Sequence, residues 1–181
     1  NQDGIIINSN FKRYSFRATV DHTISSHFKV GTSILASYTI NSNIPTGINS
    51  IDGPVVTQGI VGATLGAPPT LQPYKEDGTE FPFADQFNGR YREVANPMGL
   101  ADILNQNTIR RTLTNVYAEA KIINGLSYRA SFNVDLGNTL NDYYSPLYIL
   151  GKAEINANSG SASKGNVNTT SWLHESILTY N

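Results

Sequence analysis

Four stretches of this chain alternate apolar and polar residues with period two over spans longer than an ordinary strand. Such a pattern is compatible with sheet and not with helix, whose spacing would mix the two sets. From Tyr14 to Ile24, the residues Tyr14, Phe16, Ala18, Val20 and Ile24 share one face, and Ser15, Arg17, Thr19, Asp21 and Thr23 share the other; His22 alone breaks the apolar side. After Ser25-Ser26-His27 the alternation resumes, with Phe28, Val30, Thr32, Ile34, Ala36, Tyr38 and Ile40 set against Lys29, Gly31, Ser33, Leu35, Ser37, Thr39 and Asn41. Val116, Ala118, Ala120 and Ile122 begin a second hairpin, opposed by Asn115, Tyr117, Glu119 and Lys121. Its returning strand places Leu126, Tyr128, Ala130, Phe132, Val134 and Leu136 opposite Ser127, Arg129, Ser131, Asn133 and Asp135. Asn124-Gly125 between them predicts a type I′ turn, because both residues tolerate positive φ. A fifth strand is expected from about Thr169 to Tyr180, where Trp172, Leu178 and Tyr180 share a parity that Leu173 and Ile177 do not.

The connections are unequal. Two are tight, at Ser25 to His27 and at Asn124-Gly125; two are long, from about Ser42 to Asn107 and from about Asn138 to Asn168. The first long segment carries turn signals at Asp77-Gly78, Asn88-Gly89 and Asn96-Pro97. Two short helices are expected within it, one from Val55 to Leu65 opened by Pro54 and one from Pro97 to Leu104 capped by Asn96. The second long segment contains the Gly- and Ser-rich run Ser159 to Gly165, whose composition predicts a mobile loop.

A soluble antiparallel sandwich also alternates, but its strands usually run about 5 to 6 residues. Alternating long strands with tight turns at one end and long loops at the other is the pattern of a transmembrane β-barrel. Phe28 and Tyr38 lie ten residues apart on the apolar face; at about 3.3 Å per residue and a tilt of about 40° this is roughly 25 Å, the height of a lipid-facing band with one ring at each interface. Only 15% of the residues are charged, and 13 Lys and Arg against 14 Asp and Glu give a formal net charge of -1. The chain therefore has no basic footprint for nucleic acid. It contains no cysteine, which excludes thiol catalysis and disulfide frameworks. Its apolar runs are too short for a membrane-spanning helix, and Leu178-Thr179-Tyr180-Asn181 reads as an interrupted strand, so a piece of a longer protein is expected.

Motifs spread over nearly the whole chain carry a resemblance. They are Gly4-Ile5-Ile6-Ile7-Asn8-Ser9 followed by Phe11 to Arg17, Phe28-Lys29-Val30-Gly31, Ala67-Pro68-Pro69-Thr70-Leu71-Gln72-Pro73-Tyr74 with Asp77-Gly78, Asn96-Pro97, Asn115 to Glu119, Asn124 to Arg129, Tyr143-Tyr144-Ser145-Pro146, and Trp172 to Asn181. In this order and spacing they resemble the SusC/RagA family of TonB-dependent outer-membrane transporters. The resemblance implies an all-β fold: a barrel of about 22 strands with an N-terminal plug, of which residues 1–181 supply about five antiparallel strands with long extracellular loops. It also implies TonB-driven import of oligosaccharides (glycans) or peptides in Bacteroidetes-type bacteria, under a SusD-like surface lipoprotein. The plug domain and the C-terminal end of the barrel are expected to lie outside this chain. Five strands cannot close by themselves, since the smallest membrane barrels have about eight. The rival reading is a secreted all-β adhesion or glycan-binding module that folds alone.

No catalytic chemistry is expected, nor any cofactor or metal. His22, His27 and His174 lack metal-ligand spacing, and no nucleophile elbow or phosphate loop is present; Gly62 to Gly66 lacks the Lys-Ser/Thr that would complete one. Asp77, Thr79 and Glu80 fit a plain Asp-Gly turn better than a calcium site. Tyr74, Phe81, Phe83, Phe87 and Tyr91 are apolar surface in a water-facing loop, which is expected to pack on itself or to meet a ligand or the lid lipoprotein. Arg17, Asp21, Glu119, Lys121, Arg129 and Asp135 are expected to face the lumen, paired across strands or against a plug.

Overall fold

The computed structural model describes residues 1–44, 46, 48–50, 56–91, 94–146 and 160–181. Pro54, Val55 and Ser159 lie outside them. In chain order the elements are β1 (Gln2–Asp3), β2 (Asn10–Ser25), β3 (Phe28–Ser42), β4 (Ile48–Ser50), β5 (Val56–Gln58), α1 (Ile60–Gly66), two single 3₁₀ turns (Phe83–Asp85 and Phe87–Gly89), α2 (Pro97–Ala101), β6 (Leu104–Ile123), β7 (Leu126–Ser145) and β8 (Ser161–Tyr180). The sheet is antiparallel with strand order β1-β2-β3-β6-β7-β8, and β4 pairs with β5 in a separate ribbon. This is the architecture of a β-barrel segment, open at both edges. No described helix is long and apolar enough to cross a membrane, which says nothing about crossing by strands.

The long strands outrun the alternation that predicts them. β6 begins at Leu104 rather than near Asn115, β7 continues to Ser145, and β8 starts at Ser161. Thus Ser161 to Gly165, expected to be a mobile loop, are strand residues. Polar contacts recur along these extensions: Asn138 Nδ2 donates to Asn166 Oδ1 at 2.7 Å and to Asn168 Oδ1 at 2.6 Å, and Lys164 pairs with Asp142 at 3.3 Å. Backbone ladders and amide pairs hold such strands without apolar periodicity. The helix expected from Val55 is also corrected, because Val56–Gln58 is strand and α1 starts at Ile60. α2 opens as expected, with Pro97 in its first turn and the Asn96 side chain accepting from the Met98 N–H at 3.0 Å, but it ends at Ala101 rather than Leu104.

The turn at Asn124-Gly125 is not type I′. Gly125 has φ 85°, whereas Asn124 is not among the described residues with positive φ, which type I′ would require of both. A single left-handed glycine after the turn is the signature of a three-residue loop with a glycine bulge. That loop keeps odd-numbered residues of β6 and β7 on one face, as the Asn115 Nδ2 to Asn133 Oδ1 bond at 2.6 Å requires. The two tight turns lie side by side, since Lys121 N–H donates to the His27 carbonyl at 2.8 Å. The two ends of the first long connection meet, with Asn43 N–H donating to the Asn105 carbonyl at 2.9 Å, and Leu104 lines one cavity with Asp142 and Lys164 from near the ends of the second.

The chain divides into two compact units. One comprises residues 12–40, 108–140 and 165–181, the other residues 1–11, 41–107 and 141–164. In the first, the apolar face lies bare: Tyr14, Phe16, Val20, Ile24, Val116, Phe132, Leu136, Trp172 and Leu178 are all exposed. Its aromatics stack on one another, Tyr14 with Tyr38 at 6.4 Å and Phe132 with Trp172 at 6.0 Å between centroids. The second unit has a core of its own, in which Ile44, Ile60, Ala63, Ala95, Leu100, Ala101 and Ile103 are buried, with Ile6 and Tyr143 packed against them.

Candidate functional site

Among the described residues two places gather chemistry-bearing side chains: the polar face of the sheet and the long loop before β6. On the polar face, three of the sequence-predicted residues, Asp21, Arg129 and Asp135, join through partners that the sequence did not single out. Asp21 accepts a short hydrogen bond from the Tyr117 hydroxyl across the intervening strand β3. The ring reaches because Gly31 lies between them; a Cβ there would collide with both the Asp21 carboxylate and the Tyr117 ring. Arg129 stacks its guanidinium 4.2 Å from the Tyr117 ring centroid. Asp135 is held by Arg111 in a bidentate pair, with Nε to Oδ1 at 3.0 Å and Nη2 to Oδ2 at 2.6 Å. Arg17 lines a groove of about 300 Å³ on this face with Leu35, Leu113, Asn133, Asp135 and Leu173.

Glu119 and Lys121 lie on β6, with Lys121 exposed beside the turn and bonded there through its backbone to His27. The residues missed were Gly31, Arg111, Tyr117 and Glu175, the last accepting from Ser131 at 3.3 Å and from Asn133 at 3.4 Å. Their signal was present: each has the parity of the polar face. What parity omits is register, which together with the missing side chain at Gly31 brings Tyr117 to Asp21.

The loop aromatics do not form one cluster. Phe83 is 3% exposed and packs inside the loop, Phe81 lies 5.9 Å beneath the Lys75 ammonium, and Phe87 meets Tyr91 edge to face at 6.0 Å. Tyr74 and Phe87 remain 41% and 57% exposed. Tyr74 bridges to Glu80, and a cavity of about 590 Å³ opens beside Tyr74, Lys75, Thr79, Pro82 and Asp102.

Two buried amides organise this loop. Gln86 Nε2 donates to the Gln72 carbonyl at 2.7 Å and its Oε1 accepts from the Gln72 N–H at 3.0 Å. Asn96, besides capping α2, donates to the Pro73 carbonyl at 2.8 Å and the Phe81 carbonyl at 3.2 Å. Sequence reasoning identified Asn96 as a cap and missed Gln86, since a long-range amide clamp leaves no local pattern.

Asp77 is committed to its own turn: Oδ1 accepts from the Thr79 N–H at 2.9 Å and from the Thr79 hydroxyl at 2.5 Å. These bonds, side chain first and then backbone, hold its carboxyl below the ordinary aspartate value. The turn is therefore favoured above the ordinary aspartate pKa and loosens as pH falls through the lowered one. In a pH titration followed by NMR, the Thr79 amide should shift with a midpoint below that of an unstructured aspartate; Asp77→Asn should abolish the transition. Among the described residues no three His, Asp or Glu converge as metal ligands. His27 Nδ1 sits 2.9 Å from Ser26 Oγ, His174 Nε2 sits 3.1 Å from Ser176 Oγ, and His22 projects from the apolar face.

No family model matches the chain. Two curated proteins of Formosa agariphila match it from end to end. TonB-dependent receptor P3 is 29% identical over 181 residues, and TonB-dependent receptor P26 is 28% identical over 186; each alignment covers 99% of this chain. The chain is similar to TonB-dependent receptors. It spans 17% of the length of either relative. The likeness runs through strands, tight turns and long loop alike, in line with the barrel-type sheet, and it does not distinguish subfamilies.

Proposed function

We propose that the protein is an outer-membrane transporter of the SusC/RagA type, TonB-dependent and non-catalytic, importing oligosaccharides or peptides with a SusD-like lipoprotein as its lid. The observation that carries the reading is the sheet itself: long antiparallel strands with one bare apolar face and one polar face that holds the Arg111–Asp135 pair, tight turns together and long connections together. A soluble domain would leave the apolar face in water at a cost of about 25 cal/mol per Å², whereas a bilayer covers it. The end-to-end likeness to TonB-dependent receptors supports the same conclusion. In this reading Arg17, Asp21, Glu119, Lys121, Arg129 and Asp135 face the lumen, and the Ser42 to Asn107 region lies at the extracellular mouth, where Tyr74, Phe87 and Tyr91 meet the lid or substrate.

The test is cellular. The whole protein containing this chain should fractionate with the outer membrane, and uptake of labelled oligosaccharide or peptide should stop when TonB is deleted. Recovery in the soluble fraction, or uptake indifferent to TonB, would refute the proposal. The isolated chain should aggregate in plain buffer and disperse in detergent, because its apolar face and both sheet edges are unpartnered; analytical ultracentrifugation with and without detergent checks this.

A further inference from the structure

We infer that Arg110, set on the Tyr38 ring at the upper limit of the apolar face, is a binding site for the phosphate of an anionic lipid headgroup. The inference rests on the membrane reading proposed above. Arg110 and Arg111 are adjacent on β6 and point to opposite faces. Arg111 is neutralised by Asp135 on the polar face, whereas Arg110 makes no ion pair among the described residues and stands 5.6 Å over the Tyr38 ring. Stacking leaves the edge donors of the guanidinium free, in the planar fork that suits a phosphate. Tyr38 is itself fixed by stacking on Tyr14, at 6.4 Å and 25° between planes, so the cation sits on a two-ring platform.

The level of this platform is set by the neighbouring strands. On the same face β7 passes from Leu136 to Asn138, and β8 from Trp172 to Asn168 and Asn166, the amides being bonded to each other. Below that line the face is hydrocarbon-like; above it the side chains want water. Tyr14 lies ten residues along β2 from Ile24, and Tyr38 ten along β3 from Phe28, which corresponds to roughly 25 Å of apolar height. A cation at the upper line faces headgroups rather than acyl chains. Lys12, two residues before Tyr14 on β2 and of the same parity, adds a second positive charge to this face beyond the Tyr14 ring.

The experiment uses the whole detergent-solubilised protein, with lipid binding followed by native mass spectrometry. The probes are monophosphoryl lipid A, phosphatidylcholine and inorganic phosphate. The wild type should retain monophosphoryl lipid A in preference to phosphatidylcholine, and Arg110→Gln should lower that affinity by about tenfold, the loss of one charge-assisted contact. Lys12→Gln should lower it less. Millimolar inorganic phosphate should not displace the lipid, because the acyl chains bind along the apolar face below. Equal binding by wild type and Arg110→Gln, both inserted and folded, would overturn the inference and leave the transporter reading intact. Displacement by inorganic phosphate would also overturn it, as a site for free phosphate. A wild-type protein that stays dispersed without detergent would refute the membrane reading, and the inference with it.

Discussion

Gly31→Val is expected to destabilise the sheet by about 1–3 kcal/mol, the usual cost of forcing a side chain into occupied space. The position is filled from both sides: the Tyr117 ring lies over it, and the Tyr117 hydroxyl reaches Asp21 beyond. A valine would push the ring away, break the bond to Asp21 and remove the surface on which Arg129 stacks. β-branched residues suit strands and glycine does not, so propensity alone predicts the opposite sign; the outcome therefore separates packing from propensity. Denaturant unfolding of the refolded protein in detergent, followed by tryptophan fluorescence, measures it. The cost should fall in a Tyr117→Ala background and vanish when Asp21→Ala is added, because ring and carboxylate both occupy the space. A valine variant as stable as wild type would mean that the ring is not held over the glycine.

Phe83→Ala is expected to open the loop before β6, with a cost of about 3–5 kcal/mol for emptying a buried aromatic site. Asn96→Ala and Gln86→Ala should each cost about 1–3 kcal/mol by removing a buried amide's bonds to the Pro73 and Phe81 carbonyls or to the Gln72 carbonyl, respectively. Limited proteolysis reads the difference: in all three variants cleavage should appear between Leu71 and Ala95, while hydrogen exchange in the long strands stays as in wild type. Tyr74→Ala and Phe87→Ala should leave the loop protected, since both rings are substantially exposed. Under the proposed function these last two should weaken lid association or uptake without affecting insertion. If Phe83→Ala left the loop resistant to protease, the burial of that ring would not be what holds it.

The alternating residues from Tyr14 to Ile24 and from Leu126 to Leu136 determined by themselves that the chain forms long strands, which face is apolar, and where the tight turns fall. These features rest on side-chain parity and on chain-local turn chemistry, and both are written one residue at a time. The same local logic located α2, because Asn96-Pro97 is a cap and a first turn wherever it occurs. Local logic failed where strands continue into polar surroundings, at Leu104 to Thr114, Gly137 to Ser145 and Ser161 to Asn168. There the backbone ladder and amide pairs such as Asn138 with Asn168 provide the stabilisation, and neither leaves a periodic trace. The sequence also misassigned Asn124, because the two-residue and three-residue turns share the same Asn-Gly; only the facing of Asn115 and Asn133 separates them. Tertiary structure alone decided which charges meet. Asp21 and Tyr117 are far apart in the chain and become partners through the β3–β6 register and the absence of a side chain at Gly31. The loop followed the same division. Its aromatics were visible as apolar surface needing cover, but that Phe83 would be buried and Phe87 left bare depended on where the Gln86 and Asn96 side chains found their distant carbonyls.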